Sequence, residues 1–139
     1  MQDASPCMLV FIPFSSDTGY AIARYQETLF EAARAVTGDA ARVHLAYARL
    51  VPGHPSGHGM HAGNLFELDV SDPASVARAA RRIEAAGIST FLGVDVPTEA
   101  FPFAALRRAG VRHVVAYHGA PVSDPNRGVK LWLKRLEMR

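Results

Sequence analysis

The chain of 139 residues is 49% hydrophobic and 20% charged, which fits one globular domain with a single core and excludes a disordered or fibrous chain. Its 15 Lys and Arg against 13 Asp and Glu leave a net charge of +2, too small to argue for nucleic acid, and no nucleic-acid partner is expected. The one cysteine, Cys7, cannot form an internal disulfide, and the longest apolar run, residues 7–14, is far shorter than a membrane span and lacks a basic leader; a cytoplasmic chain is expected.

Five short segments rich in branched and aromatic residues predict strands over 7–13, 42–48, 64–70, 89–94 and 112–118. Several are apolar with little alternation, the pattern of strands covered on both faces of a parallel sheet. After the first strand, Ile22, Tyr25, Leu29, Ala33 and Val36 recur at helical spacing, and Gly38 stands where that helix should end. The next link, residues 49–63, is too rich in Gly and Pro for a regular element and predicts a long loop. A second helix is framed by Asp72 as cap, Pro73 in the first turn and Gly87 as stop, with Val76, Ala79, Ala80 and Ile83 as its buried stripe. A third should begin near Pro102, carry Phe103 and Leu106 inward and end at Gly110; a fourth, amphipathic and basic, spans 125–139. Alternating strands and helices predict an α/β fold: an open, mostly parallel sheet with helices on both faces. The chain is expected to be a single Rossmann-like domain over 1–139.

In such sheets ligands bind beyond the carboxyl ends of the strands, which singles out the loops 14–20, 95–101 and 118–128. In the first, Ser15, Ser16, Asp17 and Thr18 are candidate caps for the helix that follows, and Gly19 lets a ligand approach the helix mouth, a geometry suited to an anion or a sugar hydroxyl. A plain capping turn explains the same residues. In the third, His118 follows the last strand and Gly119 permits a tight turn that would face its imidazole to the same cleft, while Ser123, Asp124 and Asn126 read first as turn residues. Neither Gly-x-Gly-x-x-Gly nor a Walker loop is present, and no cofactor is expected. His54, His58 and His61 lie in the Gly/Pro-rich loop with no carboxylate or cysteine nearby to complete a coordination sphere, so no metal is expected. The basic face of 125–139 (Arg127, Lys130, Lys134, Arg135) is compatible with peripheral membrane contact and equally with a solvated helix face.

Taken together, "PFSSDTGYAI", "TLFEAA", "HLAYARLVPGHP" and above all "ALRRAGVRHVVAYHGAPVSDPNRGVKLWLKRLEMR" resemble the N-terminal half of family-four (group 1) glycosyltransferases of the GT-B architecture, which are built from two Rossmann-like domains. The resemblance spans nearly the whole chain and is most specific over residues 106–136. It implies an acceptor-side domain of an enzyme that transfers a sugar from a nucleotide-sugar donor to a glycan or lipid-linked acceptor with retention at the anomeric carbon. It maps the donor-facing loop onto Ser16, Asp17, Thr18, Gly19 and Tyr20, and a donor-positioning catalytic histidine onto His118, with Gly119 and Ser123 beside it. The family's paired glycines in the first loop are reduced here to Gly19, and no glutamate pair has the spacing the family uses in its C-terminal, donor-holding domain. The resemblance therefore implies a domain of a longer enzyme, inactive by itself and with a cleft face open to self-association.

Two other readings share the first loop. A flavodoxin-like FMN-binding electron carrier would place Ser/Thr hydroxyls around a phosphate there, although Ala21 stands where that family has a hydroxyl. A receiver-like binding module would need acidic residues at the end of the first strand, where residues 11–14 read "FIPF".

Overall fold

The computed structural model describes residues 5–53, 64–96 and 100–117; within the first helix, the side chains of residues 20–22 are not described. The histidines of the 49–63 loop, His118, Gly119, Ser123 and the helix expected over 125–139 lie outside the described residues. The elements in chain order are β1 (Met8–Ser15), α1 (Tyr20–Thr37), a single 3-10 turn (Ala40–Arg42), β2 (Val43–Arg49), β3 (Leu65–Glu67), α2 (Pro73–Ala86), β4 (Thr90–Val94), α3 (Phe103–Arg108) and β5 (His113–Tyr117).

All five strands pair in parallel in the order β3-β2-β1-β4-β5. This is the Rossmann-like order, with the chain reversing its direction of travel across the sheet between β1 and β4. Flavodoxin-like sheets run 2-1-3-4-5 instead. The strand order therefore departs from the flavodoxin-like alternative.

The alternation along β1 divides the core into two layers. Met8, Val10 and Ile12 pack with Val43, Leu45 and Tyr47 of β2 beneath Phe30 and Ala33 of α1. Leu9 and Phe11 face the other layer, with Phe66, Phe91, Phe101, Leu106 and the α2 residues Ala79 and Ile83. Four phenylalanines form a chain in that layer: Phe11 lies 5.2 Å from Phe101, Phe101 lies 5.1 Å from Phe91 and 4.8 Å from Phe103, ring centre to ring centre.

Helix α2 matches its sequence signals. The Asp72 carboxylate accepts the Ala74 N–H at 2.9 Å, and Gly87 closes the helix at φ 64°, a left-handed conformation that glycine adopts at least cost. Helix α1 ends at Gly38 as expected, but its buried face is rotated from the expected stripe. Gln26, Phe30, Ala33 and Thr37 are buried, and Val36 is 62% exposed. Their spacing of four, three and four residues is itself helical, so two polar residues occupy the core face in place of Val36. Thr37 is accommodated because its hydroxyl donates to the Asp39 carbonyl at 2.9 Å.

Gln26 is met by Tyr47, whose hydroxyl donates to Gln26 Oε1 at 2.8 Å, while Gln26 Nε2 is buried with no hydrogen-bond partner. Tyr47→Phe would leave both ends of that amide unsatisfied and is expected to cost about 1–2 kcal/mol in urea unfolding. Burial lifts the Tyr47 pKa from 10.0 to about 12. Because the folded value is raised, the contribution is complete below pH 10 and is lost as the pH climbs toward 12. The Tyr47→Phe protein should lack that alkaline slope. An identical slope in the variant would remove Tyr47 as its origin.

Candidate functional site

The switch point between β1 and β4 brings together the first loop, the end of β4 and the end of β5. Pro13 falls inside β1, where it has no N–H for the ladder, and the β1–β2 register shifts between Ile12 and Ser15. The strand then enters a turn closed by the Thr18 N–H donating to the Ser15 carbonyl at 3.1 Å.

Ser15 and Ser16 of this turn bond within the loop region. Ser15 Oγ donates to the Asp17 carboxylate, and Ser16 Oγ accepts the Val51 N–H at 2.8 Å while the Ser16 N–H reaches the Arg49 carbonyl at 2.9 Å. The N-cap of α1 is Gly19, which has no side chain to cap the first turn, and that helical turn contains no acidic residue. The N-cap position thus falls on Gly19 and not on Ser15, Ser16, Asp17 or Thr18, the residues expected there. An 18-residue helix directs its N-terminal N–H groups and about half a positive charge toward the switch point, with Asp17 two residues before its N-cap.

A second group of residues stands at the ends of β4 and β5. Asp95 directly follows β4 with φ 46°, an uncommon conformation for a non-glycine residue, and its N–H donates to the Tyr117 carbonyl at 2.7 Å. Tyr117 in turn meets Tyr25 of α1, ring centres 6.4 Å apart. Burial, followed by the neighbouring Tyr117 and Asp95 and a side-chain hydrogen bond with Tyr117, raises the Tyr25 pKa and holds its phenol protonated at neutral pH. Tyr117 is 49% exposed, so the pair forms an accessible wall beside the β4 end.

Of the residues expected from sequence, Ser16, Asp17, Thr18 and Gly19 stand together at the α1 mouth. Tyr20 begins α1, with its side chain outside the description, and His118, Gly119 and Ser123 lie outside the described residues. Asp95 and Tyr25 were not identified from sequence as site residues. The signal for Asp95 was its place directly after an apolar strand, and Tyr25 could be found only once the helix face was known. Among the described residues no cluster of three or more His, Cys, Asp or Glu could hold a metal ion, and no helix is long and apolar enough to cross a membrane. No family model, curated protein or solved structure matches the chain.

Proposed function

We propose that this chain is the acceptor-side domain of a nucleotide-sugar-dependent glycosyltransferase, with the turn from Ser15 to Gly19 facing the donor diphosphate. The reading rests on one observation above others: the N-terminus of α1 opens at the switch point of a Rossmann-like sheet, and its N-cap residue is Gly19, which has no side chain. An anion beside such a terminus gains the helix dipole and free backbone donors, and a leaving diphosphate gains the same stabilisation as its charge grows. The resemblance of residues 106–136 to family-four glycosyltransferases supports the same reading and assigns His118 to positioning of the donor sugar. The acceptor would be a glycan or a lipid-linked sugar. In the latter case the basic 125–139 segment would approach an anionic membrane surface.

Glycosyl transfer requires a site closed against water, and one Rossmann-like domain supplies only half of a cleft. The isolated chain is therefore expected to show no transfer from any nucleotide-sugar in a radiolabelled donor assay. In the source cells, an antibody to this domain should detect a product of roughly 35–40 kDa, the size of two ordinary domains. Enzymatic turnover by the isolated chain, or a native product of 15.0 kDa, would overturn the proposal.

A further inference from the structure

At the opposite end of the sheet, where the strands begin, a cavity of about 650 Å³ opens between the start of β1, the 3-10 turn, the end of α2 and the approach to β5. Cys7, Arg42, His44, Ser89 and Arg112 line it, and among the described residues no aspartate or glutamate does. Its arginines come from two distant parts of the chain. Arg42 closes the 3-10 turn and donates to the Ser5 carbonyl, a contact that takes one of the five N–H donors a guanidinium carries. Arg112 leads into β5, anchored by its backbone N–H on the Ser89 carbonyl at 2.8 Å.

The electrostatics of the wall are set by arginine. Burial pushes the Cys7 thiol up, against the pull of the Arg42 charge, so the thiol stays protonated at neutral pH. Burial and then the Arg82 charge push His44 down, so its imidazole is neutral there. Asp39, close to Arg42 in sequence, is engaged as the cap of the 3-10 turn, accepting the Ala41 N–H at 2.9 Å. The C-terminus of α2, at Ala86 and Gly87, contributes about half a negative charge, which the two lining guanidiniums exceed.

We propose that this cavity binds a phosphate-type oxyanion, clasped by Arg42 and Arg112 with Ser89 and His44 as further hydrogen-bonding partners. The planar guanidinium fork matches two oxyanion oxygens at once, and two arginines from different elements line a space that has no carboxylate among its described lining residues. The site lies at the other edge of the sheet from the α1 mouth and does not depend on the glycosyltransferase reading. A dianion there would favour the imidazolium form of His44, whose charged surroundings are Arg42, Arg82 and Arg112.

The test is an NMR titration of the whole chain with inorganic phosphate at fixed ionic strength, following backbone amides and the His44 ring. Saturable shifts are expected at Cys7, Arg42, His44, Ser89 and Arg112, with the His44 titration midpoint moving to higher pH. Arg42→Gln and Arg112→Gln should each weaken binding about tenfold, the loss of one charge-assisted contact, with unchanged thermal unfolding. If Arg42→Gln fails to fold, the exposed Arg112→Gln carries the comparison. Linear shifts matched by potassium chloride, unchanged affinity in Arg112→Gln, or shifts confined to residues 18–23 would overturn the proposal.

Discussion

Replacing Phe91 by alanine is expected to lower the stability of the domain by about 3–5 kcal/mol, a large part of the roughly 5–15 kcal/mol that holds a domain of this kind together. Phe91 is fully buried on β4, the strand next to the central β1. Its ring stands 5.1 Å from Phe101, 6.1 Å from Phe103 in an edge-on arrangement, and 6.3 Å from Phe11. Truncation removes the ring that packs against Phe11, Phe101 and Phe103 together. The cavity it leaves is bounded by strands that cannot collapse without breaking the parallel ladder. In urea unfolding the midpoint should fall with the slope unchanged. A loss below about 1 kcal/mol would show that α3 repacks freely and that the aromatic chain is not a rigid unit.

The second large effect is at a residue with no side chain. Gly93 lies two positions along β4 from Phe91, on the same face of the sheet, and a Cβ built there would meet Phe91 Cε1 at 2.7 Å and both Val96 methyl groups at 2.9 Å. Those distances are below any ordinary carbon contact, so the glycine is the space into which the Phe91 ring and Val96 pack. Gly93→Val is therefore expected to cost about 3 kcal/mol or more, through displaced rotamers in a filled core. The pairing of Gly93 with Phe11 of β1 and Ala116 of β5 puts the same disturbance into two strand contacts. The double variant Gly93→Val with Phe91→Ala tests the mechanism. If the clash with the ring is the cause, the double variant should lose less than the sum of the two single losses.

Much of the fold was legible because its signals are local. The run from Met8 to Ile12 is apolar at every position, as a strand buried on both faces must be, and Asp72, Pro73 and Gly87 mark the ends of α2 through hydrogen bonds made within a few residues. Strand order was not legible: nothing in one sequence says that β4 pairs with β1 and β3 with β2, and that order is what separates the Rossmann-like sheet from the flavodoxin-like one. The face of α1 was displaced for a related reason. Periodicity places apolar residues on a stripe, but Gln26 enters the core because the hydroxyl of Tyr47, 21 residues away, donates a hydrogen bond to its Oε1. The same limit applies to the site. The turn from Ser15 to Gly19 was visible as a turn, yet whether its side chains cap α1 depended on Val51, which draws Ser16 away. Asp95, Tyr25 and Tyr117 become neighbours only because α1, docked on β1 and β2, carries Tyr25 to within 6.4 Å of the Tyr117 ring.

The uncapped mouth of α1 is the centre of the functional proposal, and it can be probed without knowing the sugar. Gly19 has φ −33°, and among the described residues a Cβ added there would meet nothing within 4 Å, so Gly19→Asp can be accommodated and would put a side-chain acceptor and a negative charge at the N-cap itself. The most direct measurement is an amide NMR titration of the chain with uridine diphosphate, in the wild-type protein and in Gly19→Asp. Saturable shifts at Thr18, Gly19 and the first-turn amides of α1 are expected, lost in the variant while the rest of the spectrum is preserved. Shifts absent from those amides, or unaltered by Gly19→Asp, would contradict the assignment of this turn to the donor diphosphate.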